Sequence, residues 1–147
     1  MYTGEEIHSR YEIQLENYCK IISIEAHTML DIVNKEIIPA IMQYSRHAAE
    51  AALAKKALIP DLALPCEEKL VKQLSILLAG ISEKAEALHE SVLALSGVEG
   101  PLQQARHCRD SIFLAMQELR CLVDEAEMIT DEKAWPFPGY GALLTTK

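Results

Sequence analysis

Two Glu-x-x-His pairs, Glu5–His8 and Glu86–His89, hold the residue types best suited to chemistry. That spacing sets a carboxylate and an imidazole one helical turn apart. Carboxylate-bridged di-iron bundles use it on two helices, with a further glutamate from each of two others. Here Glu5 falls in the first turn of a helix, where a capping role suffices. His89 flanks the apolar stripe of its segment, and the chain reads as three helices rather than four. Two such pairs among 22 acidic residues arise readily by chance. Of the five histidines, His8, His27, His47, His89 and His107, none is followed by the lysine and small residue of a phosphotransfer helix. Neither a glycine-rich phosphate loop nor a G-x-S-x-G elbow occurs. The residues therefore assign no catalytic, cofactor-binding or metal site. A stand-alone metal-binding bundle centred on Glu5, His8, Glu86 and His89, or an adaptor protein, is the alternative reading.

The four cysteines, Cys19, Cys66, Cys108 and Cys121, are widely spaced and form no C-x-x-C pair. They read as reduced thiols in a cytosolic helical protein. A net charge of −8 argues against a nucleic-acid or anionic membrane partner. The opening MYTGEEIHSR is polar and acidic, so no secretory signal is expected. Apolar runs such as LSILLAGI (74–81) are too short to span a bilayer. A cytoplasmic location is the expectation.

The elements that must position any site are helical throughout. Thr3-Gly-Glu-Glu6 is a capping-box pattern that starts the first helix. Ile7, Tyr11, Leu15, Tyr18, Ile22, Ala26, Met29 and Val33 then recur at steps of three and four, the stripe of an amphipathic helix. Pro39 has no turn residue beside it, so a kink is expected there rather than a break, with helix continuing to about residue 58. IPDLALP forms a loop. A second helix, 65–96, carries the stripe Leu70, Leu74, Leu77, Ile81, Ala85, Leu88, Val92 and Leu95. Gly97 to Pro101 closes it and opens a third, 101–131, with Leu102, Ala105, Cys108, Ile112, Met116, Leu119, Val123 and Ala126. The second and third helices would each be roughly 45 Å long. Short connections favour antiparallel neighbours. The expected fold is a single all-α domain over 1–147: an up-down-up antiparallel bundle with a long first helix kinked at Pro39.

Two features go beyond a bundle core. Ile13, Ile21, Ile24 and Ile32 form a second apolar strip on the first helix, about a third of a turn from the main one. It reads equally as a wide core face or as a docking face for something outside the chain. The tail, 132–147, gathers Trp135, Phe137 and Tyr140 among prolines and glycines, although Phe113 is the sole aromatic between residues 45 and 134. Pro136 and Pro138 keep Trp135 and Phe137 out of the α region, so the tail is expected to be extended. Three rings favour its lying across a bundle groove; a linker docking elsewhere is the other reading.

Two stretches resemble a known family. RYEIQLENYCKIISIEAHTMLDI (10–32) is similar to the opening of the C-terminal region of type III glutamine synthetases. DEKAWPFPGYGALL (131–144) resembles their carboxy terminus, close to D-E-K-x-W-P-F-P-x-Y-x-x-L-L. Gly139, Ala142 and the final Thr145-Thr146-Lys147 depart from the family's usual residues. The resemblance implies a C-terminal fragment of a longer ligase that joins ammonia to glutamate using ATP and a divalent metal, Mg or Mn. It places the nucleotide, glutamate and metal sites upstream, so no cofactor is expected in this chain. The expected role is a non-catalytic structural or assembly module. Its expected partners are the catalytic domain of the same chain and neighbouring subunits of a homo-oligomer. Ile13, Ile21, Ile24, Ile32, Trp135, Phe137 and Tyr140 are the candidates for those contacts or for the bundle core.

Overall fold

The computed structural model describes residues 3–137. Among them every regular element is helical: α1 (Gly4–Ile32), a π-helical segment (Val33–Ile37), α2 (Ile38–Leu58), α3 (Pro65–Ala94), a 3-10 turn (Leu95–Gly97), α4 (Pro101–His107), a second π-helical segment (Cys108–Phe113) and α5 (Leu114–Ile129). No strand occurs among the described residues. The all-helical expectation therefore holds.

Local chemistry explains where these helices begin. Both bonds of the capping box form: the Glu6 amide donates to Thr3 Oγ1 and the Thr3 amide to Glu6 Oε2, each at 3.2 Å. Pro65 and Pro101 occupy the first positions of α3 and α4, where a missing amide costs nothing. Gly100, just before Pro101, has φ 86° and ψ 143°. That conformation is open to glycine and strained for any L side chain.

The helix does not break at Pro39. The proline cannot donate to the carbonyl four residues back, and its ring presses on that carbonyl. The turn ahead of it widens to π geometry, with the Ile38 amide reaching back five residues to the Val33 carbonyl. The second π segment has no proline to cause it; Cys108 and Ile112 within it are both buried.

The chain divides into two compact units, Met1–Asp31 with Lys84–Leu119 and Ile32–Glu83 with Arg120–Lys147. In the first, the buried apolar residues are Cys19, Ile22, Ala26 and Leu30 of α1, Ala85, Leu88 and Val92 of α3, and Ala105, Cys108, Ile112, Met116 and Leu119. Lys84 Nζ and Glu118 Oε2 pair at 3.1 Å on its surface. His107 Nε2–H donates to the Ser91 carbonyl at 2.7 Å, and Gln104 Nε2 to Val98 O at 2.9 Å, tying α4 to the end of α3.

In the second unit the buried residues include Val33, Ile37, Ile41, Leu64, Leu74, Ile81, Ala126 and Trp135. Lys55–Glu67 at 3.0 Å and Lys56–Glu68 at 3.4 Å flank the loop between α2 and α3. The bond from Lys55 holds the Glu67 carboxyl below its ordinary range. A Cβ on Gly80 would lie 3.2 Å from Leu122 Cδ1, so glycine here allows α3 and α5 a close approach that outweighs its poor helix propensity. Past α5, the Asp131 carbonyl accepts from the Ala134 and Trp135 amides, and its Oδ1 from the Lys133 amide. That turn delivers Trp135 to the interior. Trp135 does not follow from a fully extended run, because the aspartate winds the chain immediately before it.

Burial on α1 departs from the expected stripe. Ile22, Ala26 and Val33 are buried as core, but so are Cys19 and Leu30, whereas Ile7, Tyr11 and Tyr18 are exposed. The neighbours of α1 meet a face rotated from the one the apolar spacing favours.

Two substitutions probe this account by urea denaturation, followed by the emission of the single tryptophan or by circular dichroism. Trp135→Ala lowers unfolding free energy by about 3–5 kcal/mol, the range for emptying a buried ring site. Gly100→Ala lowers it by about 1–3 kcal/mol through backbone strain alone, as no atom lies near enough to clash.

Candidate functional site: an apolar face on the first helix

The chemically versatile residues do not converge. Glu5, His8, Glu86 and His89 are all exposed. His8 Nε2 pairs instead with Glu12 Oε1 at 2.9 Å, one turn along α1. Among the described residues no group of three or more His, Cys, Asp or Glu is placed to hold a metal. No buried side-chain nitrogen or oxygen among them lacks a hydrogen-bond partner. Thr130, the one buried polar residue among those described, returns its hydroxyl to the Ala126 carbonyl at 2.6 Å.

The cysteines split into two classes. Cys66 and Cys121 are exposed; Cys19 and Cys108 are buried in the first unit, with all four thiols free. Burial pushes the Cys108 thiol up to about 12, reinforced by its hydrogen-bonding neighbour Cys19. A thiol so reluctant to ionise is a poor nucleophile and a poor metal ligand. Burial and the adjacent Cys108 also raise the Tyr18 phenol, while Arg109 holds the Asp110 carboxyl down from the solvent side. This cluster is packing with a charged rim.

What the first unit does present is apolar surface. On α1, Ile7, Tyr11, Ile13, Tyr18, Ile21 and Ile24 are between 37 and 60 % exposed. At 100° per residue they cover about 160° of arc, beside the buried face of Cys19, Ile22, Ala26 and Leu30. The exposed Glu6, Arg10, Gln14, Asn17, Glu25 and Thr28 share the same arc, and Thr28 donates its hydroxyl to the Ile24 carbonyl at 2.9 Å. Of the expected contact residues, Ile13, Ile21 and Ile24 lie on this face, and Ile32 is half-buried at its end. Trp135 is buried in the second unit, Phe137 is exposed, and Tyr140 lies outside the described residues. Spacing alone puts Tyr11, Tyr18 and Ile7 in the core stripe. Only packing shows that they belong to the open face.

The second unit has two open apolar grooves. One of about 380 Å³ is lined by Gln73, Ile76, Leu77, Glu125, Met128 and Ile129. The other, of about 290 Å³, lies between α2 and α3 near Leu53 and Leu64. Neither gathers a convergent polar set, so neither resembles a small-molecule site. No described helix is long and apolar enough to cross a membrane.

Residues 1–56 match the glutamine synthetase C-terminal domain family. A glutamine synthetase of Butyrivibrio fibrisolvens is 33 % identical over 144 residues, covering 98 % of this chain and 21 % of the relative. A type-3 glutamine synthetase of Dictyostelium discoideum is 27 % identical over 95 % of this chain, and a glutamine synthetase of Bacteroides fragilis 22 % over all of it. The chain spans about a fifth of the length of each of these curated relatives.

The two thiol classes are separable by Ellman titration. At pH 8, Cys66 and Cys121 react at once, and Cys19 and Cys108 only on unfolding. Because the Cys108 value is raised in the folded state, its contribution to stability is complete below the ordinary thiol range. It is lost as pH rises from about 9 toward 12. Cys108→Ala abolishes that part of the alkaline destabilisation.

Proposed function

We propose that this chain, which belongs to the C-terminal region of type III glutamine synthetases, is a non-catalytic helical module that works by being packed against. The parent polypeptide joins ammonia to glutamate with ATP and a divalent metal, Mg or Mn, in the cytoplasm. The groups that perform that chemistry lie elsewhere in it. In this reading the three long helices form an up-down-up bundle, bent near Pro39, and the aromatic tail is a further packing segment. The module braces the catalytic domain of its own chain and the contacts between subunits of a homo-oligomer.

The observation that carries this reading is the lopsided match: nearly all of this chain aligns with a fifth of a glutamine synthetase. The family that residues 1–56 match is a glutamine synthetase C-terminal domain. The dispersal of Glu5, His8, Glu86 and His89 over exposed positions agrees with it. So does the apolar face of α1, since residues that serve only solvent would be polar.

The isolated 147-residue chain is expected to form no glutamine from glutamate, ammonia and ATP with either metal. In the complete polypeptide, removing this region is expected to reduce both activity and assembled mass. Turnover by the isolated chain overturns the proposal. So does stoichiometric manganese or iron in the purified chain that disappears in His89→Ala.

A further inference from the structure

The open face of α1 is not accounted for by the interior of its unit. The Cys108 thiol, buried beside Cys19, is held protonated. The second unit's grooves offer no polar recognition. On α1, by contrast, six large apolar or aromatic residues stand open on one helix. Together they expose on the order of 600 Å², interleaved with the exposed Glu6, Arg10, Gln14, Asn17, Glu25 and Thr28 of the same arc.

Resting on the module reading above, we infer that Ile7, Tyr11, Tyr18, Ile21 and Ile24 form the seat for the body of the same polypeptide that precedes this region. Three observations select that occupant. The relatives carry about four-fifths of their length outside the matched part, and the matching family is a C-terminal domain, so in them that length comes first. α1 begins at Gly4 and holds the whole face within its 29 residues. A body joined just ahead of it meets the face at the effective concentration of a short tether, in the millimolar range. A second copy of this chain has no such advantage and brings a net charge of −8 against another −8.

The residue types suit a seat of this kind. Tyr11 and Tyr18 supply large, stiff contact area and a polar tip that remains satisfied at a wet rim. The isoleucines supply branched surface with little rotamer freedom to lose. Thr28 is already satisfied within the helix, so covering it strands no hydroxyl. Ile13 lies at the far edge of the arc and Ile32 is half-buried, so the centre of the seat runs from Tyr11 to Ile24.

Tyrosine nitration by tetranitromethane, mapped by mass spectrometry, reads this surface directly. In the isolated chain Tyr11 nitrates readily. In the complete synthetase polypeptide it is expected to react at least tenfold more slowly. The double variant Ile21→Asp/Ile24→Asp restores its reactivity there. The variant's own helix content by circular dichroism is unchanged, because both side chains lie outside the core. Equal nitration in the isolated chain and the complete polypeptide overturns the inference. Shielding already present in the isolated chain, lost on dilution together with a dimer seen by sedimentation, also overturns it, in favour of a second copy. Either failure is distinct from failure of the module reading, which would show as turnover or bound metal in the isolated chain.

Discussion

A helix can bury only the side chains that a neighbour reaches. In α1 the apolar residues occupy more of the circumference than its unit covers. Cys19, Ile22, Ala26 and Leu30 take the buried face, and the next arc of isoleucines and tyrosines stays in water. Hydrophobic surface left open this way has an unfavourable free energy of hydration. On α1 it alternates with exposed charged and amide side chains, Glu6, Arg10, Gln14, Asn17 and Glu25, in the same arc.

The interior shows why the chain is poor in reactive chemistry. Its buried cysteines sit side by side, and burial holds the Cys108 thiol protonated. Its buried threonine bonds to its own helix, and its histidines and carboxylates are spread over the surface. Active sites concentrate perturbed groups in a cleft. Here the perturbed groups are a thiol raised by burial, a phenol beside it, and carboxylates lowered by a lysine or arginine at the surface. Each has a packing or ion-pair cause. None requires a substrate.

The two π segments show how the helices accommodate what the side chains demand. At Val33–Ile37 the cause is covalent: a proline two residues on cannot continue the α ladder. At Cys108–Phe113 there is no proline to break the ladder. The first is visible in sequence as Pro39. The second is visible only in the folded backbone.

Much of the fold was legible because it depends on local chemistry. The capping box at Thr3 and Glu6, the prolines that open α3 and α4, and the apolar spacing of Leu74, Ile81, Ala85, Leu88 and Val92 act within a turn or two of themselves. The absence of a recognisable catalytic motif was equally a property of the string of residues, as was the likeness of both ends to glutamine synthetases. What only tertiary structure decided was rotation and pairing. It decided that α1 turns Tyr11 and Tyr18 outward and Cys19 inward, that Gly80 faces Leu122, and that Asp131 folds the chain back to bury Trp135. Periodicity specifies that a helix has an apolar side. Where two apolar strips adjoin, only the geometry of the neighbouring helix selects which of them loses its water.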